Sequence, residues 1–345
     1  MRRAVLNLAD DRNIWRIPES ATEAIRLAFP AGWEVAVVQD AVDGRGDGGG
    51  VSAAALSAIK GAEVYLGFGL PRELFLTAVC EEGSQLRWAH TATAGIGSLL
   101  YPEMVQSNVI LTNSAGVHGP AMAETVLAMV LHFARGLDVA VRAQARREWS
   151  ASRFEEEFGI GREISGATLG IVGLGGVGRE IAWRGRAVGM NVVALRRNAG
   201  GSEDGVELIT GDDALRTLLA RSDYVVISVP STRETRGMIG ARELAAMRAD
   251  AVLVNVARGE VVDEDALVEV LRAGRLRGAA LDVFRTEPLP AESPLWDLPN
   301  VLILPHVSGT TDRFWSREAA LIVDNVRRYL GVEPLRNVVD KAIGY

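Results

Sequence analysis

Short apolar runs alternate with helical patterns along the first third of the chain. The predicted strands are Ala4–Leu8, Glu34–Val38, Val64–Phe68, Leu86–Thr91 and Val109–Thr112, and the helical patterns between them are Ala21–Ala28, Ser52–Ala58 and Arg72–Cys80. Strands that alternate with helices pair in parallel, because each helix returns the chain to the edge of the sheet where the previous strand began. This part of the sequence therefore predicts an open parallel sheet.

The rest of the chain repeats this alternation after a single long helix. The helix is expected from Ala121 to Arg147, largely apolar at first and then basic. Six further strands are predicted at Leu169–Val172, Val192–Leu195, Tyr224–Ser228, Val252–Asn255, Gly278–Leu281 and Val301–Leu304. Six strands match a complete dinucleotide-binding sheet. The amphipathic tail Glu318–Tyr329 is expected to pack back on the first sheet, which would make the first domain discontinuous.

A glycine-rich turn follows the first of these six strands. It reads Gly173-Leu174-Gly175-Gly176-Val177-Gly178 and fits the pattern G-x-G-x-x-G. Its glycines permit a tight turn, close approach of the backbone to a pyrophosphate and close packing of the helix on the strand. The N–H groups at the start of the helix can then bind phosphate. The motif predicts dinucleotide binding, with a purely structural turn as the alternative.

Two arginines at the end of the second strand bear on the type of dinucleotide. Sites that prefer NAD carry an acid about 20 residues beyond the turn, which accepts hydrogen bonds from the ribose hydroxyls. Here Arg196 holds that position and Arg197 follows it. Guanidinium groups pair with a 2′-phosphate instead. NADP(H) is therefore the preferred prediction; two solvated surface arginines with NAD(H) as coenzyme are the alternative.

Composition indicates which classes of partner and which cellular compartment are expected. The 345 residues allow two domains, and 37 basic against 44 acidic residues give a net charge of −7, which disfavours nucleic acid and anionic membranes. One cysteine cannot form an internal disulfide, so a reducing cytoplasm is expected. No signal peptide or membrane-spanning run is apparent. Four scattered histidines and the cysteine do not indicate a metal site. His90 is expected in the core or in a loop, with the substrate cleft as the alternative.

Three chemically versatile residues each follow a strand of the second unit. Arg258 ends the fourth strand, Glu287 lies beyond the fifth and His306 beyond the sixth. Ligands of open α/β sheets bind at the carboxyl ends of the strands. A His–carboxylate pair can supply a proton while an arginine binds a carboxylate and polarises a carbonyl. The set suits reversible carbonyl reduction beside a nicotinamide.

Seven segments in order resemble the D-isomer-specific 2-hydroxyacid dehydrogenase family. They are LRWAHTATAGIG, NSAGVHGPAMAET, GLGGVG, SVPSTRETRGMI, NVARGEVVDEDAL, GAALDVFRTEPLP and PNVLILPHVSG. The resemblance implies an α/β fold with a Rossmann-type doubly wound parallel sheet inserted into a smaller flavodoxin-like α/β substrate domain. The expected dinucleotide-binding domain is 112–311, and the substrate domain is 1–111 completed by 312–345.

The resemblance also implies roles for particular residues. Arg258 resembles the substrate-binding arginine, His306 the catalytic histidine and Glu287 the acid paired with it. Asp282 resembles the residue that receives the nicotinamide carboxamide. The remaining positions resemble cofactor contacts, which are Gly173, Gly175, Gly176, Val177, Gly178, Pro230, Thr235 and Val256, or backbone groups that hold the substrate carboxylate, which are Ala92 and Thr93.

The expected activity is reduction of a small 2-keto acid, similar to glyoxylate or hydroxypyruvate, to the D-2-hydroxy acid with NADPH. The arginine at position 196 makes the chain resemble the NADPH-using glyoxylate/hydroxypyruvate reductase branch. Alternatives are an NAD-preferring dehydrogenase of the same family and an NAD(H)-sensing, corepressor-like regulatory dimer on the same fold. The apolar part of the long helix is expected to pack on a second copy, which predicts a homodimer.

Overall fold

The computed structural model describes residues 2–40, 51–80, 85–157, 159–197 and 203–344. The chain forms two compact units, one of Met1–His118 with Thr310–Tyr345 and the other of Gly119–Gly309. The first unit is discontinuous, because the C-terminal segment returns to it. Each unit contains one all-parallel sheet, so the predicted two-domain α/β fold is confirmed.

The first unit is a five-stranded sheet with helices on both faces. Its elements are β1 (Arg2–Asn7), α1 (Glu19–Ala28), β2 (Trp33–Val37), α2 (Ala53–Ile59), β3 (Val64–Gly67), α3 (Arg72–Cys80), β4 (Trp88–Thr91), α4 (Pro102–Gln106), β5 (Ile110–Asn113) and, from the C-terminal segment, α12 (Phe314–Leu330). The strand order is β2-β1-β3-β4-β5. Side chains alternate across β1, so Val5 packs with α2 and α3 while Ala4 and Leu6 pack with α1 and α12.

The end of the chain completes this unit at its β5 edge. Val338 forms an antiparallel bridge with Thr112, and the Val339 N–H donates to the Leu111 carbonyl. Lys341 Nζ donates to three backbone carbonyls around the end of α4, and burial lowers the pKa of Lys341. Because β5 reaches residue 113, the domain boundary expected after residue 111 falls inside a strand of this sheet.

The second unit is a seven-stranded sheet between two layers of helices. Its elements are α5 (Gly119–Ala134), α6 (Leu137–Ala145), α7 (Ala151–Glu156), β6 (Thr168–Val172), α8 (Gly176–Ala187), β7 (Asn191–Leu195), β8 (Val206–Leu208), α9 (Ala214–Arg221), β9 (Tyr224–Ile227), α10 (Ala241–Ala246), β10 (Val252–Asn255), α11 (Glu264–Arg272), β11 (Gly278–Leu281) and β12 (Val301–Ile303). The strand order is β12-β11-β10-β9-β6-β7-β8. One face packs against α5 and α8 and the other against α9, α10 and α11.

The strand order reverses direction between β6 and β9. Counted from β6, the order across the sheet is 3-2-1-4-5-6-7, the doubly wound arrangement in which the ligand crevice lies beside the first strand. All six predicted strands are present. The additional edge strand β8 has only three residues and gives little apolar signal in the sequence.

The prediction of a single long helix from Ala121 to Arg147 is wrong. α5 ends at Ala134, and α6 begins after Gly136, whose φ of +64° belongs to the left-handed region. A Cβ at this position would lie 2.6 Å from Ile160 Cγ2. The chain therefore turns at a glycine that both the backbone angle and the close neighbour require.

None of the helices that the structure describes is both long and apolar enough to cross a membrane.

Candidate active site

The glycine-rich turn lies between β6 and α8, next to the point where the strand order reverses. Gly173 has a φ of +105°, and the N–H groups of Gly173 and Leu174 both donate to the Leu195 carbonyl at 3.0 Å. Gly175 is the residue before α8. This hydrogen bonding ties the turn to the end of β7, so the start of α8 is held at the carboxyl ends of two strands.

Three glycines of the turn differ in what surrounds them. A Cβ on Gly178 would collide with the Gly173 carbonyl oxygen, and one on Gly173 would lie 2.7 Å from Val229 Cγ1. A Cβ on Gly175 would have no heavy atom within 4 Å. The space beside the helix N-terminus is therefore open at the position where a pyrophosphate binds in such turns. The residues present fit a dinucleotide.

Arg196 and Arg197 directly follow β7, as the sequence indicates. Arg196 is half-buried and Arg197 is exposed. Arg197 forms an ion pair of 3.6 Å with Glu234, which lies in the loop after β9. A hydrogen bond from the Thr232 hydroxyl lowers the pKa of Glu234, and the charge of Arg197 lowers it further. Glu234 is thus an anion beside the predicted 2′-phosphate site.

The loop after β9 is organised by its own side chains. Thr235 Oγ1 donates to the Pro230 carbonyl at 2.6 Å and accepts from the Thr232 N–H at 2.8 Å. Ser228, at the end of the strand, donates to the Gly173 carbonyl at 2.7 Å. Pro230 and Thr235 therefore lie in one ordered loop that is tied to the glycine-rich turn.

Arg258 emerges from a sharp turn after β10. Asn255 Oδ1 accepts from the Ala257 N–H at 3.0 Å, and Asn255 Nδ2 donates to the Arg258 carbonyl at 3.1 Å. Gly259 lies against the Phe284 backbone so closely that a Cβ would overlap it. The Arg258 side chain is exposed, while Val256 beneath it is buried. The hydrogen bonds of Asn255 thus hold the backbone of the turn, from which the guanidinium group of Arg258 extends.

His306 and Glu287 are in direct contact. His306 Nδ1 lies 2.6 Å from Glu287 Oε2, and Glu287 Oε1 accepts from the Phe284 N–H at 2.9 Å. Because an ionised carboxylate only accepts, this geometry places a proton on Nδ1. About half of the His306 side chain and a third of the Glu287 side chain are exposed. The other ring nitrogen, Nε2, remains for proton exchange with a ligand.

Asp282, directly after β11, is fully buried and bonds to the backbone around His306. Its carboxylate accepts from the Val307 N–H at 2.8 Å and from the Ser308 N–H at 3.1 and 3.2 Å, and its carbonyl accepts from the His306 N–H at 2.9 Å. In this structure the carboxylate thus faces the protein backbone. Its expected contact with a nicotinamide carboxamide stays a prediction.

The substrate-binding role expected for the Ala92 amide does not fit the structure. The Ala92 N–H continues the sheet hydrogen bonding of β4 and donates to the Gly67 carbonyl at 2.7 Å. The turn that follows is held by Thr93 Oγ1, which donates to the Gly95 carbonyl, and by Asn113 Nδ2, which donates to the Ala94 carbonyl. A backbone amide with a sheet partner is a poor anion ligand, so only Thr93 remains of the two candidates.

The sequence did not indicate the groups that hold the candidate functional side chains. Asn255 and the Phe284 N–H orient Arg258 and Glu287, and the amides of Val307 and Ser308 bind Asp282. The role of Asn255 could have been predicted from the sequence, because asparagine at the end of a strand commonly bonds to the backbone two residues on. The backbone donors could not, because every residue type except proline has the same N–H group.

A doubly wound sheet with a glycine-rich turn, a His–carboxylate pair and an arginine at neighbouring strand ends defines a dinucleotide-dependent oxidoreductase. The family model "D-isomer specific 2-hydroxyacid dehydrogenase, NAD binding domain" matches residues 127–308. The chain therefore belongs to the D-isomer specific 2-hydroxyacid dehydrogenase family, and it is an NAD(P)-dependent enzyme of that class.

Individual relatives agree with this assignment. A glyoxylate/hydroxypyruvate reductase B of Pectobacterium carotovorum is 38% identical over 76% of this chain and 82% of its own length. A D-3-phosphoglycerate dehydrogenase of Methanocaldococcus jannaschii is 33% identical over 76% of this chain, which spans about half (49%) of that relative. A crystal structure of a D-isomer specific 2-hydroxyacid dehydrogenase from Xanthobacter autotrophicus, in complex with NADPH and MES, is 31% identical with a TM-score of 0.79, covering 100% of this chain and 99% of the other.

Proposed function

We propose that this enzyme reduces a small 2-keto acid, similar to glyoxylate or hydroxypyruvate, to the D-2-hydroxy acid with NADPH. The observation that carries the proposal is the 2.6 Å contact between His306 and Glu287, which follow β12 and β11, the two strands next in the sheet order to β10 and the turn that carries Arg258. The reductase name of the Pectobacterium relative and the NADPH bound to the Xanthobacter relative support the substrate class and the coenzyme. When bound, the coenzyme supplies a hydride to the keto carbon.

The three side chains divide the remaining work. Glu287 keeps the Nδ1–H of His306 oriented, so Nε2 is the ring nitrogen that donates a proton to the substrate oxygen. The guanidinium group of Arg258 can bind the substrate carboxylate and stabilise negative charge on the carbonyl oxygen. In the oxidative direction His306 accepts the proton from the hydroxyl group. The role of Thr93 in binding the substrate carboxylate stays a prediction.

Arg196 and Arg197 support the choice of NADPH. The turn of Gly173, Gly175, Gly176, Val177 and Gly178 would hold the pyrophosphate, and the two arginines would bind the 2′-phosphate with charge-assisted hydrogen bonds. Pro230, Thr235 and Val256 would line the cofactor site. We also infer a homodimer, since α6 exposes the apolar side chains of Leu137 and Val141. A cytoplasmic location stays a prediction from the single cysteine.

Initial rates with NADPH and NADH, using glyoxylate, hydroxypyruvate and pyruvate as acceptors, test the activity. The variant His306→Ala should lower kcat by about 100-fold or more while the Kd for NADPH, measured by fluorescence, changes little. A proportional loss of coenzyme binding would contradict the role of His306 as the proton donor. Coenzyme binding without turnover of any keto acid would favour the regulatory alternative.

Coenzyme preference is tested by replacing both arginines, Arg196→Ala and Arg197→Ala together. Loss of the phosphate contacts should lower kcat/KM with NADPH by about 10- to 100-fold and leave the NADH rate nearly unchanged. The matched control is Arg221→Ala, which removes another exposed, ion-paired arginine from the same unit. Equal effects on both coenzymes would assign the arginines to the protein surface.

A further inference from the structure

The backbone around His306 adopts a conformation that the sequence alone does not favour. His306 has a φ of +56°, in the left-handed region, although it is not a glycine. Such angles persist where the surroundings hold the residue in place, and they concentrate at functional sites.

Asp282 supplies the interactions on both sides of that residue. Its carbonyl oxygen accepts from the His306 N–H, and its carboxylate accepts from the next two N–H groups, of Val307 and Ser308. Three consecutive N–H groups thus donate to Asp282, one to its backbone carbonyl and two to its carboxylate. The side chain is completely buried, so water does not compete for these bonds.

The Glu287 contact depends on the same segment. The imidazole lies 2.6 Å from Glu287 with His306 in this left-handed conformation, and Glu287 is itself held by the Phe284 N–H. Asp282 and Phe284 lie in the same chain segment after β11. One strand end therefore fixes both partners of the His–carboxylate pair.

We propose that Asp282 is a positioning residue that acts through the backbone of His306, Val307 and Ser308 to keep the imidazole on Glu287. This role differs from a direct contact with the nicotinamide, for which the carboxylate would have to face the coenzyme. The inference rests on the proposed catalytic role of His306. A direct coenzyme contact is the competing explanation for any loss of activity on substitution.

A double-mutant cycle between Asp282→Asn and His306→Ala separates the two explanations. Asparagine keeps the size of the side chain but replaces one acceptor oxygen with an N–H donor that faces the Ser308 N–H. In the otherwise unchanged enzyme we expect kcat for keto-acid reduction to fall by about 10- to 100-fold with little change in the Kd for NADPH. In the His306→Ala background, measured by single-turnover NADPH oxidation, the same substitution should have an effect of less than about threefold.

The result that would overturn the proposal is an equally large effect of Asp282→Asn with and without His306, accompanied by weaker NADPH binding. That outcome would assign Asp282 to the coenzyme. If His306→Ala alone leaves kcat unchanged, the proposed function fails independently of Asp282. The matched control is Asp138→Asn, which removes a buried carboxylate bound to Arg277 at the opposite end of β11 and should not change the cycle.

Hydrogen exchange tests the same interactions in the unmodified enzyme. The Val307 N–H belongs to a residue that is 41% exposed, so its protection would come from Asp282 rather than from burial. We expect slow exchange of the 306–308 amides in the native enzyme and faster exchange in Asp282→Asn, with the exchange of β11 unchanged. Rapid exchange in the native enzyme would contradict the proposal even if the variant did not fold.

Discussion

The buried pair of His90 and Glu318 gives the sharpest stability prediction for the first unit. His90 Nε2 lies 2.8 Å from Glu318 Oε1, and neither side chain is exposed to solvent. Trp88 Nε1 donates to Thr112 Oγ1, which leaves the threonine hydroxyl to donate to His90 Nδ1 at 2.8 Å. This order of donors places the His90 proton on Nε2, where it bonds to Glu318. The pair thus attaches α12, from the C-terminal segment, to the sheet.

The expected cost follows from the burial. Because His90 carries its proton on Nε2, Glu318→Ala leaves a buried N–H donor without an acceptor. An unsatisfied buried donor costs about 1–3 kcal/mol, so the free energy of unfolding should fall by about that amount. For a unit of roughly 150 residues this corresponds to a fall in Tm of about 2–12 °C. Glu318→Gln, which keeps an acceptor for His90, should cost less, below about 1 kcal/mol.

Urea unfolding followed by tryptophan fluorescence, together with calorimetry, measures the effect. Asp324→Ala on the same helix is the control, because its ion pairs with Arg328 and Arg336 are at the surface and should contribute little. The double variant with His90→Ala should be less destabilised than the sum of the two single variants, because no orphaned partner remains. A change below about 1 kcal/mol in Glu318→Ala would refute the reasoning.

Three further predictions concern the coenzyme site and the C-terminus. Gly178→Ala should raise the Kd for NADPH at least tenfold, measured by fluorescence titration, because its Cβ would overlap the Gly173 carbonyl. Glu234→Gln removes the anion beside Arg197, so the KM for NADPH should fall a fewfold while the KM for NADH stays constant; equal changes would contradict the assignment. Lys341→Met deletes the donor to three carbonyls and should lower Tm without changing kcat.

Much of the fold could be predicted because parallel strands buried on both faces are continuous apolar runs. Val252–Asn255 and Gly278–Leu281 are such runs, and both are strands with the predicted bounds. The long helix was mispredicted because helical periodicity continues across Gly136, and only the left-handed angle there interrupts it. His90, expected in the core or in a loop, is buried. Its partner Glu318 lies 228 residues away, which no local pattern could indicate.

The candidate site, like the fold, could be predicted from the sequence only in part. The sequence indicated Arg258, Glu287 and His306, because each is a chemically distinctive side chain just after an apolar run. It could not indicate that the Ala92 N–H already has a partner in Gly67, because backbone hydrogen bonding depends on which strands are neighbours. Asp282 shows the same limit, since its position was identified but its backbone partners after β12 were not.

The arrangement of these partners suggests why the candidate functional side chains lie on strand ends rather than within longer loops. Asn255 holds the turn of Arg258, and Asp282 holds the segment of His306; both holding residues are fixed by the sheet, since the Asp282 N–H donates to the Asn255 carbonyl at 3.0 Å. Each reactive group is thus one or two hydrogen bonds away from a rigid strand. Because small displacements of reacting groups reduce rates strongly, buried polar residues at strand ends should be under as much functional constraint as the reactive residues themselves.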